Sequence, residues 1–92
     1  MYVIIVYDIK TDQEGKKILP KVFKICKKYL VHIQNSVFEG ELTNSQLKML
    51  KLELSRYIRE DSDSLIIFKN RQEKWLDKEF LGIQEDLTDN FL

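Results

Sequence analysis

Ninety-two residues, 43% apolar and 33% charged, are enough for one small globular domain, and the mix excludes a disordered or fibrous chain. Fifteen basic and fifteen acidic side chains cancel, which disfavours a protein that coats nucleic acid through net charge alone. With one cysteine, Cys26, and one histidine, the chain can build neither a disulfide framework nor a Cys/His zinc site, and it reads as a protein of a reducing, cytoplasmic compartment.

The charges are unevenly placed. Residues 10–28 carry seven lysines against Asp12 and Glu14, whereas residues 60–89 carry nine acids against Lys69, Arg71, Lys74 and Lys78. A basic face and an acidic tail are therefore both available to partners.

In chain order, residues 2–7 (YVIIVY) are β-branched and aromatic, which predicts a central strand buried on both faces and ended by Asp8. The run is too short to span a bilayer and lacks the basic residues that open a secretion signal. Residues 16–30 predict a helix. Ile18, Val22, Ile25 and Tyr29 form one apolar row and Leu19, Phe23, Cys26 and Leu30 the next, with Lys17, Lys21, Lys24 and Lys28 opposite. Thr11 and Glu14 have capping-box spacing, but a helix begun there would carry Gly15 and Pro20 inside it. A start at Gly15 or Lys16, or a kinked first turn, is expected instead.

Residues 31–42 read as extended, either two short strands or one long bent one, with Val31 and Ile33 alternating with His32 and Gln34. That alternation puts His32 on the outer phase as a surface or packing residue; Phe38, beside the polar Ser36 and Glu39, is core or dimer contact. Thr43 opens a second helix with Gln46 completing a capping box, and Leu47, Leu50, Leu54, Tyr57 and Ile58 form its core stripe. Met49 and Leu52 fall outside that stripe, as edge packing or interface. After a polar turn at 60–64, Ser64–Phe68 is a further strand. Residues 71–81 fit a helix or a strand, and the closing residues fit a docked tail.

Strand, helix, strand, strand, helix, strand is the order of an α+β ferredoxin-like sandwich. Residues 1–92 then form one domain, with a core at 1–69 and a C-terminal segment at 70–92. Both helices cover one sheet face, so a second copy is the simplest cover for the other. The C-terminal segment could cross to that copy.

Glycine-rich phosphate loops are absent. Asp8 stands out as a carboxylate at the end of an apolar central strand. It is either a turn cap or an oxygen ligand for Mg²⁺, and one carboxylate is too little for a hard-metal site. Twofold symmetry would bring a second Asp8 to share one ion. The lysine row is either a solvated face or a track for backbone phosphates.

The opening YVIIVYDI (Tyr2–Ile9), together with IQNSVFEGEL (Ile33–Leu42), closely resembles the "Cas two" family, small CRISPR-associated proteins of the spacer-acquisition complex. The Ser36–Gly40 segment, at this distance from Asp8 in a chain of this size, is the specific part of the match. The resemblance implies a homodimer with Asp8 facing its symmetry mate near a divalent ion. It implies metal-dependent endonuclease activity on RNA or DNA, and a scaffold that bridges integrase dimers during spacer insertion, with Asp8 dispensable there. The segment from Arg71 to Leu92 would contribute dimer and integrase contacts. Where the family commonly has arginines, this chain has His32, Lys16 and Lys17, which retain less of the bidentate grip on phosphate.

Two functions follow. One is a scaffold that holds duplex DNA (a prespacer) across Lys16, Lys17, Lys21, Lys24 and Lys28. The other is a Mg²⁺-dependent phosphodiesterase with Asp8 as metal ligand and catalytic residue, acting on DNA or single-stranded RNA. Charge, shape and dimerisation suffice for the scaffold, so it is the favoured expectation. A stand-alone endoribonuclease or toxin-like RNA cleaver of the same fold is the alternative, and no membrane partner is expected.

Overall fold

Six elements follow one another in a computed structural model that describes residues 1–71, 77 and 79–82. They are β1 (Tyr2–Asp8), α1 (Gln13–Tyr29), β2 (Val31–Gln34), β3 (Val37–Glu41), α2 (Asn44–Ser55) and β4 (Ser64–Asn70). The strands form an antiparallel sheet in the order β2-β3-β1-β4. This is the ferredoxin-like topology expected from the element order.

Alternation along the strands decides what each face buries. Val3, Ile5 and Tyr7 of β1 and Phe38 of β3 share a core with Ile18, Val22 and Cys26 of α1 and Leu47, Leu50 and Leu54 of α2. Val3, Ile5, Val22, Cys26, Phe38 and Leu50 are wholly withdrawn from water. Each such aliphatic or aromatic side chain contributes about 1.5–3 kcal/mol by burial. Burial also pushes the Cys26 thiol up to about 12, so it behaves as a small apolar side chain.

The other face is less closed than the continuous apolar run of β1 predicts. Ile4 and Val6 are half-buried, Asp8 is exposed, and Ile66 and Phe68 of β4 keep 52% and 54% of their surface. On this same face Glu39 is buried and accepts a hydrogen bond from the Tyr2 hydroxyl.

Helix α1 begins earlier than expected, at Gln13, with Asp12 as its N-cap accepting from the Gly15 N–H at 2.7 Å. Gly15 is tolerated there because the fold requires it: a Cβ would lie 1.7 Å from the Lys10 carbonyl oxygen. Pro20 does lie inside the helix, on its exposed side. Its missing N–H costs a bond there but does not open the core.

Helix α2 has the expected capping box, with Gln46 N–H donating to Thr43 Oγ1 at 3.1 Å and Thr43 N–H donating to Gln46 Oε1 at 2.9 Å. It ends at Ser55, so Tyr57 and Ile58 reach the core from the following turn. Met49 and Leu52 are exposed. Glu53 joins the two helices by accepting from Lys28 Nζ and the Tyr29 hydroxyl.

The 31–42 region is two strands, and His32 has the opposite phase to the expected one. It pairs with Phe38 in register, and its ring lies 4.9 Å from both Phe23 and Phe38, while Val31 is the exposed residue. A shift between His32 and Gln34 interrupts the alternation on which the expectation rested. Among the described residues, no helix is long and apolar enough to cross a membrane. The helix-or-strand alternatives for 71–81, the docked tail and the partner-crossing segment fall largely outside the described residues.

Candidate functional site

Asp8 is the last residue of β1 and pairs with Ser64 at the end of the β1–β4 ladder. It lies on a cleft of about 320 Å³, lined by Tyr7, Asp8, Ile9, Leu19, Phe23, Asn35 and Ser36. Tyr7 N–H donates to the Ser36 carbonyl at 3.2 Å, which ties the β2–β3 turn to the end of β1. His32 supports the same turn, its Nε2–H donating to the Asn35 carbonyl at 2.8 Å. Asn35 adopts a left-handed conformation, φ 40°, which asparagine tolerates better than most residues.

On the opposite side, the loop from Ile9 to Asp12 is held by a cluster that sequence reasoning missed. Arg59 donates to Asp12 from Nη1 at 2.9 and 3.0 Å, and to Asp63 from Nη2 at 2.9 Å and Nε at 3.0 Å. Hydrogen bonds from the Arg59 side chain, then from backbone N–H groups, outweigh desolvation and lower the Asp63 carboxyl to about 2. Asp12 is also lowered, first by the Gly15 N–H and then by Arg59. Arg59 itself is raised, mainly by its bonds to Asp63 and then Asp12. The only sequence trace of the cluster is the four-residue spacing of Arg59 and Asp63. Asp12 lies 47 positions away from Arg59.

The turn-capping work that Asp8 could have done is thus performed by Asp12 and Asp63. Among the described residues, no hydrogen bond or ion pair engages the Asp8 carboxylate. Asp8, Ser36 and Asn35 offer oxygen donors, the type that suits a hard divalent cation. The described residues contain no group of three His, Cys, Asp or Glu able to hold a metal. The described residues of one chain supply the right atoms in too small a number.

Lys16, Lys17, Lys21, Lys24 and Lys28 are all exposed along α1, a run of about 18 Å of helix. The structure divides them. Lys28 is bound to Glu53, and Lys21 lies 5.3 Å from the Tyr57 ring centre. Lys16, Lys17 and Lys24 make no ion pair among the described residues.

A family model for CRISPR associated protein Cas2 matches residues 1–78. The chain belongs to the Cas2 family. It is 61% identical over 92 residues to a CRISPR-associated endoribonuclease Cas2 of Fusobacterium nucleatum, covering 100% of this chain and 87% of that one. It is 43% identical over 90 residues to a protein of the same description from Moorella thermoacetica, covering 97% and 99%. The crystal structure of Streptococcus pyogenes Cas2 at pH 6.5 superposes with a TM-score of 0.76 at 33% identity, over 89% of this chain and 100% of the other.

Membership gives this chain the general role of Cas2 proteins in CRISPR adaptation. Within the Cas2 fold, Asp8 and Ser36 meet at one cleft although 28 positions separate them, whereas the lysines lie on the helical layer. His32, where the resemblance leads one to expect arginine, is spent on packing and on the Asn35 carbonyl.

Proposed function

We propose that this Cas2-family chain is a homodimeric scaffold that holds duplex DNA and bridges integrase subunits during spacer acquisition. The observation that carries the reading is the apolar sheet face turned away from the helices. Val31, Ile66 and Phe68 are about half exposed there, beside the half-buried Ile4, Val6 and Val37. Covering such a face with its own symmetry mate removes it from water without a second gene product. In that arrangement the α1 lysines stay on the solvent side, free to meet phosphates. They would add affinity without reading sequence. Residues 70–92 cross to the partner in this reading, and the chain works in the cytoplasm as one domain.

A second reading has support from Asp8. Asp8 shares the phase of Ile4 and Val6, so pairing through this face brings the Asp8 edge of one copy toward the other. Two Asp8 carboxylates, with Ser36 hydroxyls nearby, would hold one Mg²⁺ ion. When bound, that ion supplies Lewis-acid stabilisation of phosphodiester oxygens. The endoribonuclease names of the relatives fit this activity.

The test is spacer integration in vitro with the cognate integrase, comparing the wild type with a folded, dimeric Asp8→Ala variant and an omission control. The scaffold reading expects integration to require the protein and to survive the substitution. Loss of integration by a variant that still binds integrase and DNA would put the metal reading first. Integration unaffected by omitting the protein would sink the scaffold reading.

A further inference from the structure

We infer that Arg59 is a positioning residue that fixes the Asp8 end of the sheet, a role that rests on reading Asp8 as the functional carboxylate. Asp8 is followed by four residues before α1, and that short loop is fastened from the α2–β4 turn at Lys10 and Asp12. Lys10 N–H donates to Asp63 Oδ1 at 3.0 Å, and Lys10 O accepts from Arg59 Nη2 at 3.1 Å. Asp12 takes the other end of the guanidinium at 2.9 and 3.0 Å. Arg59 N–H, at 2.9 Å, and Nε, at 3.0 Å, both donate to Asp63 Oδ2.

The β1–β4 ladder ends at Asp8 and Ser64. The bond from Lys10 to Asp63 adds a further rung of side chain to backbone just beyond it. Asp8 therefore sits between two fixed points, its strand pairing on one side and the pinned Lys10 on the other. The buried Ile9 side chain and the tight contact of Gly15 with the Lys10 carbonyl leave that loop little room to shift.

Only arginine can make this fork. Lysine has the charge but not the planar set of donors that engages two carboxylates and a carbonyl together. The cluster also carries one positive and two negative charges, so loss of Arg59 takes from Asp12 and Asp63 the cation they share. Functional carboxylates need placement to within about 0.5 Å, and loss of an orienting partner typically weakens metal binding by about tenfold or more.

The experiment uses the 92-residue protein and five variants: Arg59→Lys, Arg59→Met, the triple change Arg59→Met with Asp12→Asn and Asp63→Asn, Glu53→Gln, and Asp8→Asn. The triple variant removes the uncompensated charge and keeps a capping residue at position 12, so it remains testable if Arg59→Met does not fold. Glu53→Gln removes the charge from a polar cluster, with Lys28 and Tyr29, that shares no hydrogen bond with the loop after Asp8 among the described residues. NMR hydrogen exchange and amide order parameters report the loop, and Mn²⁺ binding by electron paramagnetic resonance reports the site.

The expected result is roughly tenfold faster exchange at Lys10 and a lower order parameter at Asp8 in every folded Arg59 variant, with Val3 and Ile5 unchanged. Mn²⁺ affinity should fall about tenfold in the same variants and hold in Glu53→Gln. Unchanged exchange and order at Asp8 and Lys10 would overturn the inference, as would a loosened loop with undiminished Mn²⁺ affinity. Mn²⁺ binding that Asp8→Asn leaves intact would sink the metal reading of Asp8 instead, and the NMR result alone would then decide whether Arg59 positions it.

Discussion

On the helix-covered side of the sheet, Val3, Ile5 and Phe38 are wholly removed from water. On the opposite side, Ile66 and Phe68 retain about half of their exposure, 52% and 54%. Both sides are written in β-branched and aromatic residues, and β1 shows no polar alternation that would tell them apart. The difference is one of cover. The inner face receives two helices whose apolar stripes come from the same chain, whereas the outer face carries Ile4, Val6, Val31, Val37, Ile66 and Phe68 beside Asp8 and Glu39 without an equivalent second layer among the described residues. A one-layer sheet exposed to water would be expected to alternate apolar and polar residues along its strands. The exposed apolar residues of the outer face are the ones the proposed pairing of two copies would cover, and the comparison can be pressed by changing one face at a time.

The largest effect is expected inside. Phe38 is fully buried, with ring centres of Tyr7, Phe23 and His32 at 6.1, 5.3 and 4.9 Å. Phe38→Ala should destabilise the protein by about 3–5 kcal/mol in urea unfolding at fixed protein concentration. A loss below about 1 kcal/mol would mean that the inner face is not the main source of stability.

The matching change outside is Phe68→Asp. It should leave the far-ultraviolet circular dichroism of the folded chain in place and shift light scattering from dimer to monomer. A dimer that persists would show that the exposed face is not the contact between copies.

The smallest effect concerns the edge that both faces share. Asp63 is lowered from 3.8 to about 2 in the folded chain, so its bonds add stability that is present above pH 4 or so and is lost as pH falls toward 2. Acid titration of Asp63→Asn should show a shallower loss of stability in that window, with Asp12, also lowered, supplying the remainder. An identical acid limb in wild type and variant would show that Asp63 does not carry the linkage.

Much of the fold was legible. The apolar stripe from Ile18 to Leu30, the Thr43–Gln46 capping box and the run of β1 are local patterns, and each maps onto the observed element. The failures have long-range causes. The local pattern places the start of α1 too late because Gly15 looks like a helix breaker, and only the Lys10 carbonyl packed against it explains why no other residue fits. His32 faces the helices because its register partner is the buried Phe38, while Val31 takes the open face, and a period-two pattern does not say which of its two faces is covered. Asp8 was legible as a candidate from its place at the end of an apolar strand. Its neighbours Asn35 and Ser36 came to it only through the β1–β3 pairing, and the Arg59 cluster through a turn more than forty positions away.

The sequence by itself determined the order of elements, the helical stripes and the family, because helix period, capping and short motifs depend on residues close in the chain. Tertiary structure decided which side of the sheet stays open, which lysines are already engaged, and what holds the loop after Asp8. Those outcomes depend on strand register and on side chains arriving from distant segments, and local sequence patterns do not encode the direction from which a partner comes.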